Sequence, residues 1–362
     1  MINLKHRRKS LKILACTLGL FAIVATGCKK PGVAPKGPTA VTGPYLYVGG
    51  ASNSTATFWK ISLAQPGGNY VIGTATSAKA ISSIATSGND VYMAAGAPGY
   101  WKNQIFMPVP AVGASAVYYI AIVGTSVYTA GLDSYINYAN LAYWVNNNEV
   151  NLQSAIKNQF PNAHITVYSE TGMAISGSNV LVTGRIYVQN WSTNPAGSFD
   201  NNGLLWTNGN LQVFGPGGIY YPSGFLSTVG ITVLGPDSYV AGVMPDSTHA
   251  SGYWKNGVFN DLNNKYFTPA CITSAGNDIY IGGFTYNSAF SPNAQGVYWK
   301  SGTFVSIANE KRLITMVIYN NDVYALGIDN NNNNVVWKNG SVFVTVGSAS
   351  NQLVSSMAIG KI

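Results

Sequence analysis

Tyr253-Trp254-Lys255-Asn256-Gly257 is one copy of a unit that recurs along the chain, and the recurrence decides the fold. Close copies stand at Tyr298-Trp299-Lys300-Ser301-Gly302, Val336-Trp337-Lys338-Asn339-Gly340, Leu205-Trp206-Thr207-Asn208-Gly209 and Tyr100-Trp101-Lys102-Asn103. Weaker ones are Phe58-Trp59-Lys60 and Tyr143-Trp144-Val145-Asn146. Seven of the eight tryptophans thus mark a single unit. A spacing of about 40–50 residues is the period of a propeller, solenoid or array.

Each unit reads as four short strands. The first is apolar and ends in a turn, as Ile81 to Thr86 does before Ser87-Gly88-Asn89-Asp90. The second is β-rich and ends on glycine: Val91 to Gly96, Val127 to Gly131, Val180 to Gly184, Tyr239 to Gly242, Ile279 to Gly283, Val323 to Gly327. The third is the Tyr-Trp-Lys strand. The fourth carries an apolar residue five or six places after the tryptophan, such as Phe106, Val150, Leu211 or Phe259. Val, Ile, Tyr, Phe and Trp suit a pleated, buried surface. Asn-Gly between two such runs marks a type I′ hairpin, which needs positive φ at both central residues. Leu152 to Phe160 is the one stretch with helical character. Small radial sheets without long helices describe a β-propeller.

The ends supply a count and a closure. Tyr45 to Gly50 matches a second strand with no first strand before it, while Ser355 to Gly360 matches the first strand Gly172 to Gly177. The orphan at the C-terminus would complete the blade begun at the N-terminus and hide two sheet edges. The expectation is an all-β fold, a seven-bladed β-propeller of four-stranded blades over residues 44–362, closed by pairing of the C-terminal strand with the N-terminal blade. The order of glycine, tyrosine and tryptophan resembles the kelch family of propellers, in which a Gly-Gly pair ends the second strand and Tyr and Trp follow on the third. Here the doublet is kept at Gly49-Gly50 and Gly282-Gly283, and Tyr and Trp are adjacent rather than spaced.

The N-terminus reads as an export signal over residues 1–27. Lys5, Arg7, Arg8, Lys9 and Lys12 precede an apolar run, Ile13 to Val24, too short to favour a spanning helix. Ala25-Thr26-Gly27-Cys28 resembles a bacterial lipobox, although Ala25 stands where most carry a branched residue; cleavage by the ordinary signal peptidase is the other outcome. The resemblance implies lipid attachment at Cys28 and an extracytoplasmic domain anchored to the cell envelope, at the outer membrane, on a Pro/Gly/Lys tether at residues 28–43. Together with the repeat, it is similar to the propeller lipoproteins of the Bacteroidota.

Processing also changes the charge. The formal +8 of the full chain falls to +3 once five basic residues leave with the signal. A thin, nearly balanced charge excludes an electrostatic footprint for nucleic acid. Of three cysteines, Cys16 lies in the signal and Cys28 would carry lipid, so Cys271 is left with no disulfide partner. It reads as a small buried hydrophobe on a strand.

Within a blade, first-to-second and third-to-fourth turns are short and uniform. Second-to-third and fourth-to-first connections read as long and variable, and strand alternation puts both variable sets on one face. Loops on a rigid scaffold carry function, so this face is the expected binding surface for a glycan or a surface protein. Its aromatic candidates are Tyr135, Tyr187, Trp191, Tyr220, Tyr221, Tyr266 and Tyr286. Each joins apolar area to a polar tip; the competing reading is that they pack the loops together.

The catalytic inventory is thin. Asp90, Asp237, Asp278 and Asp322 recur at one turn position, a structural duty. Asp246 and His249 share a loop, but two ligands do not make a metal site, and His164 stands alone. Asp329 to Asn334 lacks calcium-loop spacing. The residues therefore call for no metal, cofactor or catalytic set, and favour a binding module over a glycan-active enzyme using Asp200, Asp246 or His249. A structural scaffold in a surface complex is the third reading.

Overall fold

A computed structural model describes residues 43–64, 71–75, 79–110, 116–133, 141–161, 164–189, 200–214, 228–244, 250–286 and 294–360, with the backbone alone at 71, 164–170, 187–189 and 200–201. Cys28, Tyr135, Trp191, Tyr220, Tyr221, Asp246 and His249 lie outside the described residues.

The chain is a β-propeller of seven four-stranded antiparallel blades. Blade 1 joins Tyr45–Ser52, Thr55–Ser62 and Val71–Thr74 to Gln352–Gly360 from the other end of the chain. Tyr45 pairs with Gly360 and Val48 with Met357, so the expected closure is present in register. Blades 2 and 3 touch through one bridging pair, Ala97 with Val117. The only helix among the described residues is Gln153–Gln159, where the sequence places it. Its start is tied by Asn151 Oδ1, which accepts the Gln153 N–H at 2.8 Å.

Adjacent Tyr and Trp follow from strand geometry. Successive side chains leave opposite faces of a strand, and every blade is buried on both faces. Trp144 packs against Tyr92, Ala94 and Tyr100 of the preceding blade, while its neighbour Tyr143 packs toward Trp206 of the following one. The pattern repeats around the ring and ends with Trp59, fully buried among Tyr324, Leu326 and Val336 of blade 7. The dyad is one residue for each seam. All seven repeat tryptophans are buried, and truncating such a side chain costs about 3–5 kcal/mol.

The recurring Lys-Asn-Gly has its own geometry. In blades 2 to 7 the third-to-fourth turns hold positive φ at both centres, as at Asn256 (49°) and Gly257 (86°); in blade 1 the expected short turn is replaced by a longer connection, residues 63–70. Asn256 Oδ1 accepts the Ser238 backbone N–H at 2.9 Å, and its Nδ2 donates to Asp237 at 2.7 Å. Lys255 pairs with the same Asp237 at 2.8 Å and lies 5.6 Å over the Tyr239 ring. Asp90, Asp278 and Asp322 are paired in the same way with Lys102, Lys300 and Lys338. The turn aspartates thus have a structural duty, and it reaches beyond their own turn to the neighbouring third strand. Where the position is Ser126 or Asn179, the lysine is replaced by Val145 or Thr207.

In most blades the glycine ending the second strand answers a bulge. The first strand slips register opposite Gly50, Gly131, Gly283 and Gly327. At Gly131 and Gly283 a Cβ would overlap a backbone carbonyl oxygen, of Ala116 and Thr268 respectively.

Candidate binding site at the mouth of the ring

The seven first strands surround a central cavity of about 810 Å³. Its wall mixes hydroxyls, including Ser83 and Thr171, with aliphatic side chains such as Met173 and Ile231. Several of these hydroxyls close seams between blades. Ser82 Oγ donates to Tyr118 O at 2.7 Å, and Ser355 donates to Ile81 O; outside the wall, Thr232 and Ser274 share a bond of 2.8 Å across another seam. The bulges supply some of them, since Thr171 and Ser355 are the residues skipped by the register.

One end of the cavity bears the long connections. Here the sequence reading needs correction, because three second-to-third connections are short. Asn53 and Ser54 suffice in blade 1, Pro98 in blade 2, and residues 330–332 in blade 7. Blade 7 closes tightly because Asp329 Oδ1 accepts the N–H groups of Asn331 and Asn333 at 2.9 and 2.7 Å. The Asn-rich stretch is thus a self-capped turn, with its acid occupied.

Two expected aromatic residues meet at this end. The Tyr286 N–H donates to Tyr266 O at 3.2 Å, and both side chains are half-buried. Lys265 Nζ stands 4.9 Å from the Tyr266 ring centre. The Tyr286 ring meets Phe284 edge-on at 5.6 Å. Tyr187, expected on a loop, instead lies on the strand Asn179–Gln189, its backbone opposite Thr166 and Asn201 in blade 4.

Arg312 was missed by the sequence reading. It lies near the start of Glu310–Tyr319, between two register slips, at Glu310/Arg312 and Leu313/Thr315. Bulges re-aim side chains. The exposed guanidinium lines the cavity and sits 5.8 Å over the Phe284 ring. The four ion pairs among the described residues all belong to the Asp–Lys turns, so none involves Arg312.

Glu310 is the second feature without a sequence signal. It is 1 % exposed, and neither carboxyl oxygen has a hydrogen-bond partner among the described residues. The carboxyl fills space left by Gly296 and Gly327. Burial pushes its pKa up to about 8, so it is largely protonated at neutral pH. Cys271 lies at the cavity wall as a half-buried residue with its thiol pushed up to about 12 by burial. A thiol so shifted is a poor nucleophile. The paired acids Asp90, Asp237, Asp278 and Asp322 are all held below the usual carboxylate range, first by their lysines and then by the adjacent Asn or Ser. Among the described residues, no three His, Cys, Asp or Glu side chains cluster as a metal would need.

No protein-family model and no curated relative matches the chain in sequence. Solved structures share its backbone course. YCF48 bound to D1 peptide aligns at 11% identity over 84% of this chain and 89% of that one, with a TM-score of 0.46. BamB from Moraxella catarrhalis aligns at 13% over 77% and 88%, with 0.39. An ACO/RPE65 chimera aligns at 8% over 89% and 93%, with 0.50. At such identities the likeness concerns fold, which by itself names no function.

Proposed function

We propose that the protein is an extracytoplasmic binding module, anchored by lipid at Cys28, that holds a glycan or protein ligand on the long-loop face. Residues 1–27 act as the signal, residues 28–43 as the tether, and residues 44–362 as the propeller, a kelch-like member of the surface lipoproteins of the Bacteroidota. One observation carries the reading. Tyr266, Tyr286 and Phe284 gather beside an open axial cavity, whereas the acids of the opposite face are committed to structural pairs. Half-buried rings beside a concave site are the usual composition of a ligand site.

The test combines glycan-array and envelope-protein pull-down binding with the double variant Tyr266→Ala/Tyr286→Ala. Binding should fall at least about tenfold, as loss of an aromatic anchor implies, with the melting temperature held within a few degrees. Ligand capture by the variant equal to that of the parent would refute the face. Anchoring is tested separately by fatty-acid labelling, expected in the parent and lost in Cys28→Ala.

A further inference from the structure

We infer that the mouth of the ring is a receptor for a free peptide C-terminus with an aliphatic last residue, its carboxylate held by Arg312. This rests on the binding reading above and specifies its ligand.

The argument starts from the ring's internal symmetry. In five of the seven blades, one residue of the first strand pairs with the position following the second-strand glycine. These residues are Leu353 in blade 1, Ala116 in blade 3, Ser169 in blade 4, Thr268 in blade 6 and Arg312 in blade 7. Of the five, only Arg312 carries a charge. Leu353, on the next blade round, is 59% exposed and lines the same cavity. A cation and an uncovered aliphatic side chain thus break the symmetry at neighbouring blades.

Each half of that patch asks for a partner. A guanidinium presents a planar fork that a carboxylate meets with two parallel hydrogen bonds. Arg312 has no carboxylate of its own chain among the described residues, and the nearest buried acid, Glu310, is held neutral in its glycine cradle. The cation–π contact with Phe284 fixes the guanidinium while leaving its edge free. Beside it, Leu353, Ile314 and Ile328 offer apolar wall. A chain terminus carries a carboxylate and a side chain on one Cα, so it can satisfy both halves at once. An axial cavity also receives an end more readily than a chain passing through. The chemistry favours peptide over acidic sugar, because the carboxylate site lies directly beside the exposed aliphatic side chain of Leu353, which a peptide's last residue matches and a hydroxylated sugar ring does not.

The test uses an array of random hexapeptides made in parallel as free acids and as C-terminal amides, with oligouronates alongside. The full-length protein should bind free acids ending in Leu, Ile or Val at least tenfold more tightly than the matching amides. Arg312→Gln should abolish that preference without shifting the melting temperature, and Arg312→Lys should restore part of it. Leu353→Ser should reduce the preference for an aliphatic last residue. Equal binding of acids and amides, binding of neither, or an Arg312→Gln variant that still discriminates would overturn the inference. Tighter binding of oligouronates than of any peptide would overturn it in favour of an acidic sugar. If the peptides fail while glycan or pull-down binding remains sensitive to Tyr266→Ala/Tyr286→Ala, only this inference fails and the binding face stands.

Discussion

Glu310 is a buried carboxyl with no hydrogen-bond partner among the described residues. The groups around it are Cys271 from the neighbouring blade, Arg312 on its own strand and Asp329 opposite in register, whose oxygens are taken by Asn331 and Asn333. Folded, Glu310 keeps its proton to about pH 8; unfolded, it ionises near 4.5. Between those values the folded chain binds more protons, so stability falls as pH rises through the window and is lowest above it. Glu310→Gln keeps the shape and removes the titration. Its melting temperature should match the parent near pH 4 and exceed it by roughly 5 °C at pH 8.5. Parallel melting curves for the two proteins across that range would disprove the assignment. Nothing in the sequence marks Glu310, since its neutrality depends on two glycines distant in the chain. The paired turn aspartates carry the opposite sign. Their folded pKa values are lowered, so their contribution is present above about pH 4 and is lost on acidification through the folded values.

At the scale of the element, the third-to-fourth turn works as a clasp between strands. In blade 7, Asn339 holds φ at 49°, accepts the Val323 N–H at 2.9 Å and donates to Asp322 at 2.7 Å. Lys338 reaches the same carboxylate from the surface at 2.8 Å. An amide that satisfies a backbone donor while sitting in the left-handed region is hard to replace. Asn339→Ala should cost about 1–3 kcal/mol in denaturant unfolding, whereas Lys338→Met should leave the midpoint unchanged, because exposed ion pairs contribute little. Equal losses from the two would mean that the ion pair, and not the amide, holds the turn. The turn was legible from Asn-Gly alone; the link to Asp322 was not, since it joins a turn residue to a strand residue seventeen positions away.

For the whole molecule, stability depends on completing the circle. Gln352–Gly360 pairs with Tyr45–Ser52, and Val354 and Met357 fill the seam in which Trp59 meets Leu326 and Val336. Removing residues 352–362 would uncover that seam and leave a strand edge unpaired. The truncated chain should run as aggregate on size exclusion and be cleaved rapidly by protease at temperatures the parent tolerates. A soluble monomer with the parent's melting curve would contradict a latched ring.

The sequence by itself determined the blade, the number of blades and the latch, because these rest on local chemistry repeated seven times: alternating apolar residues, positive-φ turns, and ends that complement each other. It also marked Tyr266 as a loop aromatic, whereas Tyr286, read as a loop residue, ends the strand Asp278–Tyr286. Only the tertiary structure decided what surrounds the axis. Arg312 is one arginine among several until two bulges turn it toward the cavity, Glu310 one acid among twelve until Gly296 and Gly327 enclose it. Such surroundings are assembled from several blades, and no local window of the chain contains them.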